Sequence, residues 1–164
     1  MKNSPAPRPS LSRTAVLVDL ENAAASTIPN VHDTHFVQVM IGDIVASTDA
    51  HYIVATGTRS YASAAFGWRG GRVWTRGGEH GAELELLDRA RNERLAERFD
   101  HIVIVSGDHL FTDYVSELGR LGKTTTVVGW RGSVATSLRL AAHRVAYFDS
   151  IAHAYLTIQG ADIA

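Results

Sequence analysis

Cysteine does not occur in the 164 residues. Disulfides, thiolate zinc sites and cysteine nucleophiles are therefore excluded, and the composition fits a cytoplasmic chain. Proline is nearly missing from the body of the sequence: three of the four lie within residues 1–10, a stretch without the apolar segment of a signal peptide. Residues 1–13 accordingly read as a disordered leader. No apolar run approaches the roughly 20 residues that cross a bilayer, so a soluble chain is expected. An excess of positive charge is lacking too, with 16 Lys and Arg against 17 Asp and Glu. Any nucleic-acid binding then needs a local patch instead of a global field. Nucleotide-binding loops are also absent. Gly122-Lys123-Thr124 resembles the tail of one, but the earlier glycine would fall at Glu117, and the motif precedes a strand instead of following it. Ser106 has no nucleophile-elbow pattern around it.

What is present is organised around residues 15–22. An apolar, β-branched run ends abruptly in Asp19, Glu21 and Asn22. A run this short, with no helical stripe, reads as a strand buried on both faces. The signature recurs where residues 101–105 run straight into Ser106-Gly107-Asp108. In an open α/β sheet, ligands sit at the carboxyl ends of the strands, so two strands that each end in an aspartate suggest one shared acidic site.

Around these two, further strands are expected over 51–56, 72–75, 124–128 and 145–148. Helices are expected over 32–47, 82–99 (the longest), 110–121 and 133–142, with a closing helical turn over 151–156. Strands alternating with helices argue a three-layer α/β/α sandwich with a mainly parallel sheet. One domain over 14–158 and a short tail over 159–164 complete the division.

Magnesium and manganese prefer carboxylate and amide oxygens, and a cation so held orients a phosphodiester and offsets charge on the leaving oxygen. Asp19 and Asp108 at strand ends, Asn22 nearby, and Glu83, Glu85 and Asp88 opening the 82–99 helix offer such oxygens. Each also has a plain structural use: Asp108 as a helix cap, Glu83 and Glu85 as acids at the positive end of a helix.

Taken in order, residues 16–22, 80–88 (His80-Gly81-Ala82-Glu83 through Asp88), 104–111 and 121–129 resemble the NYN domain of the PIN-like nuclease superfamily, including its LabA-like branch. The resemblance spans about residues 15–148. It implies a PIN-like fold and RNA cleavage assisted by Mg2+ or Mn2+. It also implies site roles for Asp19, Asn22, Glu83, Asp88 and Asp108, four of them (all but Asn22) as metal ligands. Two positions depart from the family pattern: Leu110 stands where a second aspartate is usual, and Glu83 stands for the more usual Asp. Glu83 and Asp88 are also about 140° apart on a regular helix, so they converge only if Glu83 precedes its regular part; otherwise Glu85 is the substitute. Asp113 is a candidate for the missing acid.

For substrate, the cluster of Trp68, Arg69, Arg72, Trp74 and Arg76 offers phosphate contacts and stacking faces; the tryptophans equally suit a core or a subunit interface. Trp130 and Arg131 carry the same two readings, and His109, beside Asp108, is a further candidate for substrate contact. The expected function is a divalent-metal-dependent endoribonuclease. The alternative is a catalytically weakened PIN-like module that binds RNA or a protein partner, and a homo-oligomer is left open.

Overall fold

A computed structural model describes residues 12–161, with side chains through residue 155. Residues 1–11 of the expected leader and 162–164 of the expected tail lie outside the described residues. Six strands form one sheet: β1 (Thr14–Asp19), β2 (His51–Thr56), β3 (Val73–Thr75), β4 (His101–Val105), β5 (Thr124–Gly129) and β6 (Arg144–Tyr147). Their order is β3-β2-β1-β4-β5-β6, and every pairing is parallel. The strand order reverses between β1 and β4, so the crevice that favours ligands in such sheets opens between the two strands that end in acids.

Side chains alternate across a strand, and β1 uses both faces. Ala15 and Leu17 pack in one buried layer with Leu86, Leu87, Ala90, Val115 and Leu118. Val16 and Val18 pack in the other with Val37, Met40, Ile41, Ala64 and Phe148. The first layer is covered by α4 (Gly81–Asn92), α5 (Leu95–Arg98), α6 (Thr112–Arg120) and α7 (Thr136–Ala141). The second is covered by α1 (Leu20–Ala23), α2 (Val31–Val45), α3 (Tyr61–Gly67) and α8 (Phe148–Ala161). This is the expected three-layer α/β/α sandwich. Among the described residues no helix is long and apolar enough to cross a membrane.

Several elements differ from expectation: the closing turn expected over 151–156 is the 14-residue α8, which takes Phe148 from the expected sixth strand, and the short α1 follows β1 directly. The single long helix over 82–99 is two helices, because Arg94 takes a left-handed φ of 55° and turns the chain so that Leu95 and Phe99 enter the core. The longest described helix is instead α2, with 15 residues, opened by a reciprocal Asn30–Asp33 capping box. The glycine-rich character of 61–81 hides α3, which the alanines at 62, 64 and 65 support.

Candidate active site

Register brings the site together. Val18 pairs with Val105, so the next residues, Asp19 and Ser106, come level at the carboxyl edge. Asp19 shares the parity of Ala15 and Leu17, which face the layer containing α4. The residue is buried, only 2% exposed. The Ser106 hydroxyl donates to Asp19 Oδ2 at 2.9 Å, and the Asn22 N–H donates to Oδ1 at 3.3 Å. Ser106 Oγ also accepts from the Asp108 N–H at 3.2 Å, so one hydroxyl joins the two aspartates.

Asn22 is the other clasp between the strand ends: its Oδ1 accepts from the Gly107 N–H at 2.8 Å. Gly107 is required by close approach. A Cβ there would lie 2.3 Å from the Ser133 carbonyl oxygen, and the Gly107 carbonyl accepts from the Ala135 N–H at 2.9 Å. Glu21, by contrast, has turned to β2, where its Oε1 accepts from the Gly57 N–H at 3.1 Å and the Ser60 hydroxyl at 3.3 Å. It tethers a loop.

Glu83 lies in the first turn of α4 and Asp108 caps the 3-10 turn His109–Phe111, its Oδ1 accepting from the Leu110 N–H at 2.8 Å. One ligand atom each from His80, Glu83 and Asp108 lies within 4.8 Å of the other two. Asp19 stands beside this trio, near enough to Glu83 to respond to its charge. Burial above all, then the neighbouring Glu83, pushes the Asp19 carboxyl up from 3.8 to about 7, against the lowering effect of the Asn22 N–H and Ser106. Among the described residues none of Asp19, Glu83 and Asp108 has an Arg or Lys partner. Concentrated, partly buried negative charge without a cationic side chain, presented by oxygen donors, is the arrangement that a hard divalent cation satisfies.

A cavity of about 350 Å3 opens over Asp19 and Glu83, lined also by Glu21, Asn22, Trp130 and Ser133. Trp130 is fixed as its wall: its Nε1–H donates to the Ala23 carbonyl at 2.9 Å, and its ring packs on Phe148 with centroids 5.3 Å apart.

Several expected site residues are not brought here. Glu83 is inside the regular part of α4, so the angular separation holds and Asp88 points elsewhere. Its side chain is 59% exposed and accepts from Arg76 Nη1 at 2.7 Å. Glu85 is no substitute, since it accepts from Arg89 Nε at 2.9 Å. Asp113 is exposed on α6 and adds no atom to the converging group.

Trp68 is not a stacking face: it is 5% exposed, in the α2–α3 layer, with Tyr52 at 5.9 Å. Arg72 and Arg89 both lie over the Trp74 ring, at 3.8 and 3.1 Å from its centroid. Arg76 is engaged by Asp88, so Arg72 and Arg76 meet partners within the β3–α4 surface. Arg69 is exposed, its backbone N–H donating to Gln38 Oε1 at 2.9 Å. Arg131 lies over Tyr147 at 4.5 Å, next to the cavity wall. His109 is 68% exposed, with Nδ1 3.3 Å from Asp108 Oδ1.

One neighbour was not anticipated. His80 has a left-handed backbone, φ 56° and ψ 25°, at the N-cap of α4, where its side chain makes no capping bond. Its place before Gly81 was visible in the sequence, but the sign of its φ was not. Gly81 packs so closely that a Cβ would lie 2.2 Å from the Arg76 carbonyl oxygen, which holds this turn in shape.

The family model described as the NYN domain matches residues 13–150. A crystal structure of a protein of unknown function from Vibrio parahaemolyticus is similar in fold, with a TM-score of 0.54 at 17% identity over 86% of this chain and 95% of that one. No curated protein matches the chain.

Proposed function

Since the chain belongs to the NYN domain family, we propose that it is a divalent-metal-dependent endoribonuclease. Its working groups are Asp19, Glu83 and Asp108, held by Asn22 and Ser106. The observation that carries this reading is the convergence of Glu83 from α4 and Asp108 from the end of β4, with Asp19 of β1 beside them through Ser106 and the charge of Glu83, and with no Arg or Lys paired to them among the described residues. Bound there, Mg2+ or Mn2+ would supply Lewis-acid charge for phosphodiester hydrolysis.

The chain's own residues do the rest. Asp19, Glu83 and Asp108 offer oxygen ligands. Ser106 and Asn22 lock the spacing of the two strand ends, as partners behind ligands do. Trp130 gives the cavity a rigid wall suited to a base or ribose, and exposed His109 and Arg131 flank it as candidates for phosphate contact. An acidic cleft repels a polyanion, so substrate approach itself depends on the cation. The proposal extends to a LabA-like affiliation, to one functional unit over 14–158, and to a cytoplasmic setting, supported by motif order and by the lack of cysteine.

The test is incubation of labelled single-stranded RNA and DNA with the full chain in Mn2+ or Mg2+, beside Asp19→Asn and Asp108→Asn. RNA cleavage that each substitution and a chelator abolish is expected. Equal cleavage by Asp19→Asn overturns the proposed chemistry. RNA binding without cleavage would favour the weakened module, for which Leu110 at the position of a usual acid speaks.

A further inference from the structure

His80 Nδ1 stands 3.7 Å from Glu83 Oε1 and 3.7 Å from Asp108 Oδ2. Both separations are too long for hydrogen bonds, so the ring is committed to neither acid. They lie between the two separations of donors sharing one octahedral ion, about 3.0 Å for neighbouring and about 4.2 Å for opposite ligands with bonds of about 2.1 Å, so a side-chain shift of roughly half an ångström completes the set. The other ring nitrogen, Nε2, faces exposed Glu79 at 3.7 Å. A proton on that side leaves the Nδ1 lone pair facing the two carboxylates, free to bind a cation held between them.

The backbone is consistent with this placement. Histidine is among the side chains that enter the left-handed region most readily, and φ 56° turns the chain into α4 here. At the N-cap of α4 a Ser, Asp or Asn would ordinarily bond the first turn. His80 makes no capping bond and instead delivers its imidazole to the carboxylates.

We propose that His80 Nδ1 is an inner-sphere ligand of the divalent ion at Glu83 and Asp108, and that this nitrogen makes the site selective for Mn2+ over Mg2+. The inference rests on the metal site of the proposed function and goes beyond its carboxylates. Mg2+ demands oxygen donors and loses water reluctantly, whereas imidazole binds the first-row transition ions better. One nitrogen among oxygens therefore shifts preference toward manganese.

The experiment uses the full chain loaded with Mn2+ and pulsed electron paramagnetic resonance, which detects a directly bound imidazole nitrogen as modulation of the spin echo. Calorimetric titration with Mn2+ and Mg2+ accompanies it. His80→Asn is the variant of choice because asparagine tolerates the left-handed backbone, and His109→Asn is the control for the other imidazole near Asp108. Wild type should show nitrogen coupling and bind Mn2+ more tightly than Mg2+. His80→Asn should lose the coupling and about 10-fold of the Mn2+-to-Mg2+ preference, while His109→Asn keeps both. Mn2+ bound without nitrogen coupling, or coupling that survives in His80→Asn, overturns the role of His80 and leaves the carboxylate site standing. Failure of wild type to bind either ion overturns both.

Discussion

At Asp19, burial and ionisation oppose each other. The carboxyl, pushed up to about 7 from 3.8, binds its proton more tightly in the folded chain than in the unfolded one. Its contribution to stability is therefore full below about pH 4 and is lost as pH rises through 7. Asp19→Asn cannot ionise; it keeps one acceptor oxygen, for the Asn22 N–H, and its NH2 can donate to Ser106 Oγ in place of the Ser106 bond it loses. In chelator at pH 8 its Tm should exceed that of wild type by several degrees, with the two converging near pH 4. A difference that does not vary with pH would contradict the cause assigned here. Asn22 tests positioning: Asn22→Ala removes the acceptor for the Gly107 N–H at 2.8 Å. It should lower RNA cleavage about 10–100-fold, measured on the same labelled RNA. Asp19→Asn should lower it further, since it removes a proposed ligand instead of a ligand's support.

At the scale of elements, the ends of β1 and β4 and the first turn of α4 set the site, while the other helices support them. Trp68 belongs to the support: Trp68→Ala, by emptying a buried position between α3 and β2, should cost about 3–5 kcal/mol in denaturant titration and leave RNA affinity per folded molecule unchanged. A specific loss of RNA affinity at full stability would restore it as a stacking face. The end of α2 carries strain that can be removed. Ala46 caps it in the left-handed region at φ 48°, where glycine has no Cβ to crowd the backbone. Ala46→Gly should raise stability by about 1 kcal/mol, a few degrees in Tm. The core place of Trp68 was one of two readings the sequence allowed; the strain at Ala46 was not visible, because composition reports that an alanine occurs and the fold decides the hand of its backbone.

For the molecule as a whole, the cation is expected to stabilise the fold as well as to serve the chemistry. Mn2+ at 100 times its Kd should raise stability by about 2.7 kcal/mol, read as a Tm increase that Glu83→Gln together with Asp108→Asn abolishes. A flat response in wild type would count against a specific site. The sheet carrying that site was legible without coordinates: short apolar runs with no helical stripe can be buried only as central strands, and strands separated by helices must run parallel. The same logic put Asp19 and Asp108 at one edge. What the linear order could not decide is which distant groups stand opposite one another. Helical spacing set Asp88 apart from Glu83, yet only packing revealed that Arg76 holds it. Trp68 and Arg72 sit in one aromatic and basic stretch, yet one enters the core and the other lies over Trp74. His80 enters the site through a left-handed turn, enforced by the close packing of Gly81 on the Arg76 carbonyl. Periodicity follows from local bonding and survives in the sequence; convergence follows from contacts between segments far apart along the chain, and exists only once the chain is folded.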